Sequence, residues 1–266
     1  TKAILRVLED RKGKRDMEQN TYEYTRHMTW PNVALAYGDF VKRYIELPDV
    51  CFEQLPRVNT KHLKKMTDNF GMIQFARYAA PIISSGYSLD DNARALLLAG
   101  KLYARSRSIF FLDLMKTYLK YIKYVQDSDG KMYNLVSKDK VVDKNLWSEE
   151  AHGRAMRSLG FISSMQVIPA EIRKEADEIF LKALPIASEI GAPRAISSLI
   201  VGLYYYNREN YSQGIVKNIK KFADALLNLY NENTSEEWKW FEHELTYANS
   251  KMCEALFYAY MTFQDE

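Results

Sequence analysis

Residues 195–206 read AISSLIVGLYYY, and on a helix their apolar side chains point in nearly every direction. A helix that is apolar all round has to be surrounded by protein. The same character recurs in residues 93–103 (ARALLLAGKLY), 155–165 and 252–263 (MCEALFYAYMTF). We therefore predict four buried helices in the chain.

Between these stretches lie helices of a second kind, with one apolar stripe opposite Lys, Asp and Glu. They cover residues 109–125, 172–187 and 215–230. Alternation of one-faced and fully apolar helices favours an α/α toroid, an inner ring of helices inside an outer one. The dipeptide Arg-Ala recurs near three of the buried-helix starts, and this weak repeat supports the same architecture.

Strand patterns are scarce, because no period-two alternation runs longer than a few residues. Residues 129–147 are the exception, and we expect an irregular or hairpin-like excursion there. The predicted fold class is therefore all-α, an α/α toroid with an N-terminal helical extension.

The composition excludes several functions. The 266 residues include 37 Lys and Arg against 34 Asp and Glu, a balance too weak to predict nucleic-acid binding. No apolar run approaches the roughly 20 residues of a membrane span, and without a secretory signal peptide we expect a cytoplasmic location. Cys51 and Cys253 lack CxxC spacing and are expected to be buried thiols. The four His residues show no ligand spacing, so we expect no metal site.

The first 44 residues do not follow the helix alternation. Residues 1–28 have the pattern of amphipathic helices with a charged break, and Thr29 before Pro31 is typical of a helix start. Prolines mark a linker over residues 45–58, so the toroid is expected over residues 59–266. Because the chain opens with Thr rather than Met, we expect it to be part of a longer protein.

Three buried helices are each preceded by an aromatic residue and then a carboxylate. The sets are Tyr87 with Asp90 and Asp91, Trp147 with Glu149 and Glu150, and Trp240 with Glu242. Inner helices of a toroid run parallel, so these loops would meet at one mouth. Sugars suit such a mouth, because their C–H faces stack on aromatic rings and their hydroxyls bond to acids and amides. The predicted substrate-binding residues are Tyr87, Asp90, Asn92, Arg94, Trp147, Glu149, Glu150, His152, Arg154, Trp240, Tyr247 and Asn249.

Several of these residues also have a structural interpretation. Asp90 and Glu149 stand where caps and first-turn acids stabilise helix starts by about 1 kcal/mol each. Arg94 and Arg154 follow one turn later and would pair with such acids. His152 is equally well explained as a buried histidine.

If the mouth is catalytic, Glu242 is expected to be the general acid and Asp91 the base or the acceptor for a ribose-like hydroxyl. Glu242 follows apolar neighbours, which favour the protonated form that an acid needs. Asp91 precedes Asn92 at a helix N-terminus, which favours the ionised form that a base needs.

Two resemblances follow from these motifs. Residues 5–37, with Leu8-Glu9-Asp10 and Trp30-Pro31-Asn32-Val33-Ala34, resemble the last helices of a GT-B retaining glycosyltransferase. Four ordered segments over residues 59–263 resemble the six-hairpin-glycosidase-like α/α toroid fused behind group 1 glycosyltransferases in bacteria. They are 62–76, 81–96 with Gly86-Tyr87-Ser88-Leu89-Asp90-Asp91-Asn92, 147–155 with Trp147-Ser148-Glu149-Glu150-Ala151-His152, and 240–250 with Trp240-Phe241-Glu242. The third departs from the pattern, because Glu150 stands where an Asp would be expected.

The resemblance implies a carbohydrate-active module of a bacterial glycosyltransferase, with residues 1–44 as the tail of the transferase domain. Its partners would be an oligosaccharide or polysaccharide and the upstream glycosyltransferase domain of the same chain. It implies no cofactor for this segment; a nucleotide sugar would bind only where the upstream domain is present. The module could process glycans with paired carboxylates like a glycoside hydrolase, or it could be a non-catalytic glycan-binding or scaffolding domain.

Overall fold

The computed structural model describes residues 10–26, 28–44 and 58–263, and the chain divides into two compact units between Val58 and Asn59. Of the predicted linker over residues 45–58, only Val58 is described. Cys51 therefore lies outside the described residues. No helix in the described ranges is both long and apolar enough to cross a membrane.

The first unit contains helices α1 (Arg11–Thr25) and α2 (Trp30–Lys42). The Asp10 carboxylate caps α1 by accepting a hydrogen bond from the Gly13 amide at 2.9 Å. Helix α2 begins after Thr29 with a proline in its first turn, as the sequence predicts.

The second unit is built from eight helices in its described part. They are α3 (Lys61–Met66), α4 (Leu89–Ser106), α5 (Ile109–Val125), α6 (Glu149–Ser164), α7 (Ala170–Ala183), α8 (Pro193–Glu209), α9 (Gln213–Asn233) and α10 (Ser250–Phe263). Short 3₁₀ helices cover Ile83–Ser85 and Leu184–Glu189. Helices account for most of the described residues, so the prediction of an all-α chain is confirmed.

The helices form two layers. Helices α4, α6, α8 and α10 pack side by side in that order and make up the inner layer. Helices α5, α7 and α9 make up the outer layer, with α5 against α4, α7 against α6, and α9 against α8 and α10. The one-faced helices of the sequence are thus the outer ones, because only one side of each meets the inner layer.

Glycines bring α6 and α8 closest together. A Cβ atom on Gly160 would overlap the carbonyl oxygen of Gly202, and one on Gly202 would stand 2.6 Å from the Met156 carbonyl oxygen. Backbone therefore meets backbone at this contact, and larger side chains could not fit.

The predicted burial holds best in the middle of the inner layer. Helices α6 and α8 are buried on nearly every side, whereas α10 exposes Phe257 (70%) and Met261 (40%), and α4 exposes Leu98. The prediction of full burial is therefore wrong for α10 and partly wrong for α4. These helices stand at the two ends of the layer, and in the described part of the chain no extensive packing joins one to the other.

Strands are only two residues long. β1 (Ala76–Arg77) pairs antiparallel with β2 (Ala80–Pro81), and β3 (Tyr87–Ser88) pairs antiparallel with β4 (Leu135–Val136). β4 belongs to residues 129–147, where a tight turn closed by the Ser137 amide and the Val141 carbonyl confirms the expected hairpin-like excursion. The excursion places Asn134 at the start of α4, where its carbonyl accepts from the Leu89 amide at 2.7 Å.

Candidate functional site

The N-terminal ends of α4, α6 and α8 line one open cavity of about 500 Å³, which we call the N-terminal cavity. Its walls come from the starts of α4, α6 and α8, from the excursion and from the loop before α10. The lining residues are Asp90, Asn134, Trp147, Ser148, Glu149, Glu150, Arg154, Ala192 and Tyr247. Six of the predicted site residues thus share one cavity.

Serine caps set the positions of the acids. Ser88 precedes α4 and its Oγ accepts from the Asp91 amide at 3.1 Å, while Ser148 precedes α6 and its Oγ accepts from the Ala151 amide at 3.2 Å. The caps are therefore serines, and Asp90 and Glu149 are first-turn acids near a positive helix end.

Arg154 connects two of the acids across the cavity. Its Nη1 donates to Asp90 Oδ1 at 2.6 Å and its Nη2 donates to Glu150 Oε2 at 2.7 Å. The exposed Arg94 pairs with the other oxygen of Asp90 at 2.9 Å. These ion pairs agree with the structural interpretation of the two arginines, because each arginine neutralises an acid near a helix start.

Glu149 joins α6 to the segment before α8. Its Oε2 accepts from the amides of Gly191 and Ala192 at 2.7 and 2.6 Å. Its Oε1 accepts no hydrogen bond from any residue that the structure describes. This oxygen is therefore an acceptor that a bound molecule could use.

Trp147 is half-buried and forms one wall. The Lys131 ammonium lies 4.4 Å from its ring centroid, and its Nε1 is buried without a hydrogen-bond partner among the described residues. Behind it lies His152, which is fully buried and edge-on to the indole. Burial lowers the pKa of His152 to about 4, although the Ala183 main chain acts in the opposite direction. His152 therefore packs behind the wall and does not reach the cavity.

Tyr247 reaches the cavity from the irregular loop over residues 238–249. Its hydroxyl donates to Glu150 Oε1, and this bond raises the pKa of Tyr247. Beneath its ring lies Arg194, whose guanidinium carbon is 4.4 Å from the ring centroid. Sequence analysis did not assign Arg194 to the site, although it stands at the same place in the Arg-Ala repeat as Arg94 and Arg154.

The two carboxylates predicted to be catalytic do not line this cavity. Both oxygens of Glu242 accept from the Arg194 guanidinium, at 2.9 and 2.8 Å. Asp91 accepts from the Ser88 hydroxyl at 2.5 Å, and burial raises the pKa of Asp91 while that bond opposes the rise. Each carboxylate therefore has its own structural partner.

Four other predicted residues are used in the scaffold. Tyr87 is buried and donates its hydroxyl to Asp68 at 2.5 Å. Asn92 is buried and accepts from the Met72 amide at 2.8 Å. Trp240 packs edge-on against Phe241, and Asn249 accepts from Arg194 at 3.3 Å. Sequence could not separate these residues from those of the cavity, because both sets lie in the same loops.

Neither a family model nor a curated protein matches the chain. Among the described residues, no group of three or more His, Cys, Asp or Glu side chains could hold a metal ion. The N-terminal cavity is therefore the feature of the molecule that indicates a function.

Proposed function

We propose that the chain is a glycan-binding module, an incomplete α/α toroid of the kind associated with glycosyltransferases, and that the N-terminal cavity binds the sugar. The two alternating layers support the toroid, with α4 and α10 as the ends of an open arc. The main support for the proposal is that one cavity of about 500 Å³ is lined by acidic side chains, by Arg154 and by the aromatic residues Trp147 and Tyr247. The oligosaccharide or polysaccharide would serve the upstream transferase domain that the sequence resemblance implies.

The polar groups of the cavity suit hydroxyl groups. Glu149 Oε1 offers an acceptor, and the Asn134 side chain, whose oxygen accepts from the Asp90 amide at 3.3 Å, offers its amide nitrogen as a donor. Trp147 adds an aromatic surface of the type that packs on sugar rings.

The charge of the cavity favours neutral or amino sugars over uronic acids. Three carboxylates line it, from Asp90, Glu149 and Glu150, and Arg154 is the guanidinium among the lining residues, while Arg94 pairs with Asp90 from outside the lining. An additional carboxylate on the ligand would meet like charges, which disfavour its binding.

The contacts support binding more strongly than hydrolysis. A general acid must carry a proton toward the scissile bond, yet each carboxylate of the cavity accepts from an arginine or from main-chain amides. Glu242, the expected acid, serves as the counter-charge of Arg194. Processing by Glu242 and Asp91 stays a prediction, and Glu242→Gln tests it by turnover of any glycan that the protein binds.

A binding experiment tests the proposal. We expect the protein to bind members of an array of neutral gluco-, galacto-, manno- and N-acetylglucosamine oligosaccharides, and to bind oligogalacturonates less tightly. Glu149→Gln should weaken binding by roughly tenfold or more, because a charged acceptor is lost while the bonds to Gly191 and Ala192 can persist.

The matched control is Glu171→Gln, which changes an exposed first-turn acid of α7 outside the cavity and should leave affinity unchanged. If the wild-type protein binds no neutral oligosaccharide, the proposal is wrong. If binding occurs and Glu149→Gln does not weaken it, the sugar binds elsewhere.

A further inference from the structure

We infer that Arg194 is a positioning residue of the N-terminal cavity, holding the loop over residues 238–249 so that the Tyr247 hydroxyl reaches Glu150. The inference rests on the proposed function in one respect, since Tyr247 is taken to form part of a sugar site. The geometric part of the inference, that Arg194 places Tyr247, does not depend on any ligand.

Arg194 is a buried arginine, 7% exposed, in the first turn of α8. Its Nε donates to the Tyr247 carbonyl at 2.6 Å, and its Nη atoms form a fork with Glu242. The same guanidinium donates to Thr246 Oγ1 at 2.5 Å and to Asn249 Oδ1 at 3.3 Å. One side chain thus fixes four residues of the loop.

The part of the loop next to Tyr247 has few other anchors. Phe241 is buried, and Trp238 donates its Nε1 to the Glu242 carbonyl at 2.6 Å, so the beginning of the loop is held by its own aromatic residues. Residues 243–248 are all exposed. Arg194 is therefore the main connection between the segment carrying Tyr247 and the helical layer.

Only an arginine can form this set of contacts with the loop. A guanidinium presents several N–H donors in a fixed plane, so it can bind a carboxylate with two atoms and a carbonyl with a third. Its flat face also packs under the Tyr247 ring, which sets the direction of the hydroxyl toward Glu150. A lysine keeps the charge but cannot reproduce this set of bonds.

The ionisation of Tyr247 reports its position without a ligand. The bond to Glu150 is the main cause that raises its pKa, whereas the charge of Arg194 lowers it. Arg194→Gln therefore gives opposite results for two roles. If Arg194 positions Tyr247, the pKa of Tyr247 falls because the bond to Glu150 is lost; if Arg194 contributes charge alone, it rises.

The experiment is an NMR titration of the full chain with ¹³C-labelled tyrosine, with the Tyr247 signal assigned by Tyr247→Phe. We expect the pKa of Tyr247 to fall in Arg194→Lys and Arg194→Gln. It should fall less in Glu242→Gln, which removes the negative partner of the Arg194 ion pair. This third variant provides the test if the arginine variants do not fold. An unchanged or raised pKa in Arg194→Lys overturns the inference.

The matched control is Arg157→Lys. Arg157 forms a comparable two-atom pair with Glu254, at 2.7 and 3.3 Å, and links α6 to α10; among the described residues it donates no hydrogen bond to the loop. Arg157→Lys should lower the free energy of unfolding, because an ion pair is weakened, but it should leave the pKa of Tyr247 unchanged. A Tyr247 shift of equal size in Arg157→Lys would show a general loosening and would also overturn the inference.

The binding assay separates this inference from the proposed function. If the wild-type protein binds a neutral oligosaccharide, Arg194→Lys should weaken that binding about tenfold, and Arg157→Lys should not. If no glycan binds but Arg194→Lys lowers the pKa of Tyr247, the proposed function fails and the positioning role stands. If binding depends on Glu149 yet Arg194→Lys changes neither the pKa nor the affinity, the proposed function stands and this inference fails.

Discussion

Single side chains at the inner-helix starts both hold the fold together and shape the cavity. Ser148 caps α6 while lining the cavity, and Glu149 links α6 to the segment before α8 while one of its oxygens accepts no hydrogen bond from the described residues. His152, one turn into α6, fills the space behind Trp147. Such double use explains why the structural and functional interpretations of these residues are hard to separate by type alone.

Ser148 should contribute to stability through its cap. Ser148→Ala removes the acceptor for the Ala151 amide and should lower the free energy of unfolding by about 1 kcal/mol, measured by urea denaturation. Ser108 is the control, because it occupies the N-cap of α5 without a side-chain cap bond. Equal effects of Ser148→Ala and Ser108→Ala would contradict this explanation.

His152 should make stability depend on pH. Its pKa is lowered from 6.5 to about 4 in the folded protein, so the unfolded chain binds more protons between these values. The stability that neutral His152 contributes is fully present well above pH 6.5 and is lost as the pH falls from 6.5 toward 4. Between pH 7 and pH 5 this loss lowers the free energy of unfolding by about 2 kcal/mol.

Urea denaturation of the wild type and His152→Gln at the two pH values measures this cost. The variant should lose less stability than the wild type on acidification by about 2 kcal/mol. His243→Gln changes an exposed histidine and should behave like the wild type. A pH dependence that is the same in His152→Gln and the wild type would refute the assignment.

At the scale of helices, position in the layer decides how apolar surface is used. Helices α6 and α8 have inner neighbours on both sides, whereas α10 packs on α8 and α9 and presents Phe257 to solvent. Its buried residues Met252, Ala255 and Ala259 form one stripe, so α10 has a single packed face. An apolar sequence alone does not say how many neighbours a helix has.

The α6–α8 contact should be intolerant of a single methyl group. Gly160→Ala would place Cβ against the Gly202 backbone, which cannot move aside as a side chain can, and should cost about 1–3 kcal/mol of unfolding free energy. Gly191→Ala is the control, because a Cβ there meets nothing within 4 Å. A Gly160→Ala variant as stable as Gly191→Ala would show that the two helices can separate at little cost.

At the scale of the whole molecule, the chain divides into two units between Val58 and Asn59. The hydrophobic core of the second unit draws its described buried members from Met66 to Ala259. A chain shortened to begin at Asn59 should therefore keep a single cooperative unfolding transition, detected by circular dichroism in urea. Loss of that transition would show that the first unit is needed for the core to fold.

Much of the fold follows from sequence, because helical periodicity is a local property. Residues 109–125 show one apolar stripe and form α5 with the predicted bounds, and the alternation with fully apolar stretches matches the two layers. The loops before α4, α6 and α10 are likewise marked by an aromatic residue followed by an acid. The starts of α4 and α6 and the loop before α10 meet at one cavity.

Only the tertiary structure decided which residues of those loops reach the cavity. Glu242 was expected to be an acid among apolar neighbours, but it pairs with Arg194, 48 residues earlier in the chain. Tyr247 and Glu150 meet across 97 residues. Hydrogen bonds and ion pairs form between whatever groups the packed helices bring together, so the use of each carboxylate depends on partners distant in sequence, whereas helix formation depends on neighbours within a few residues.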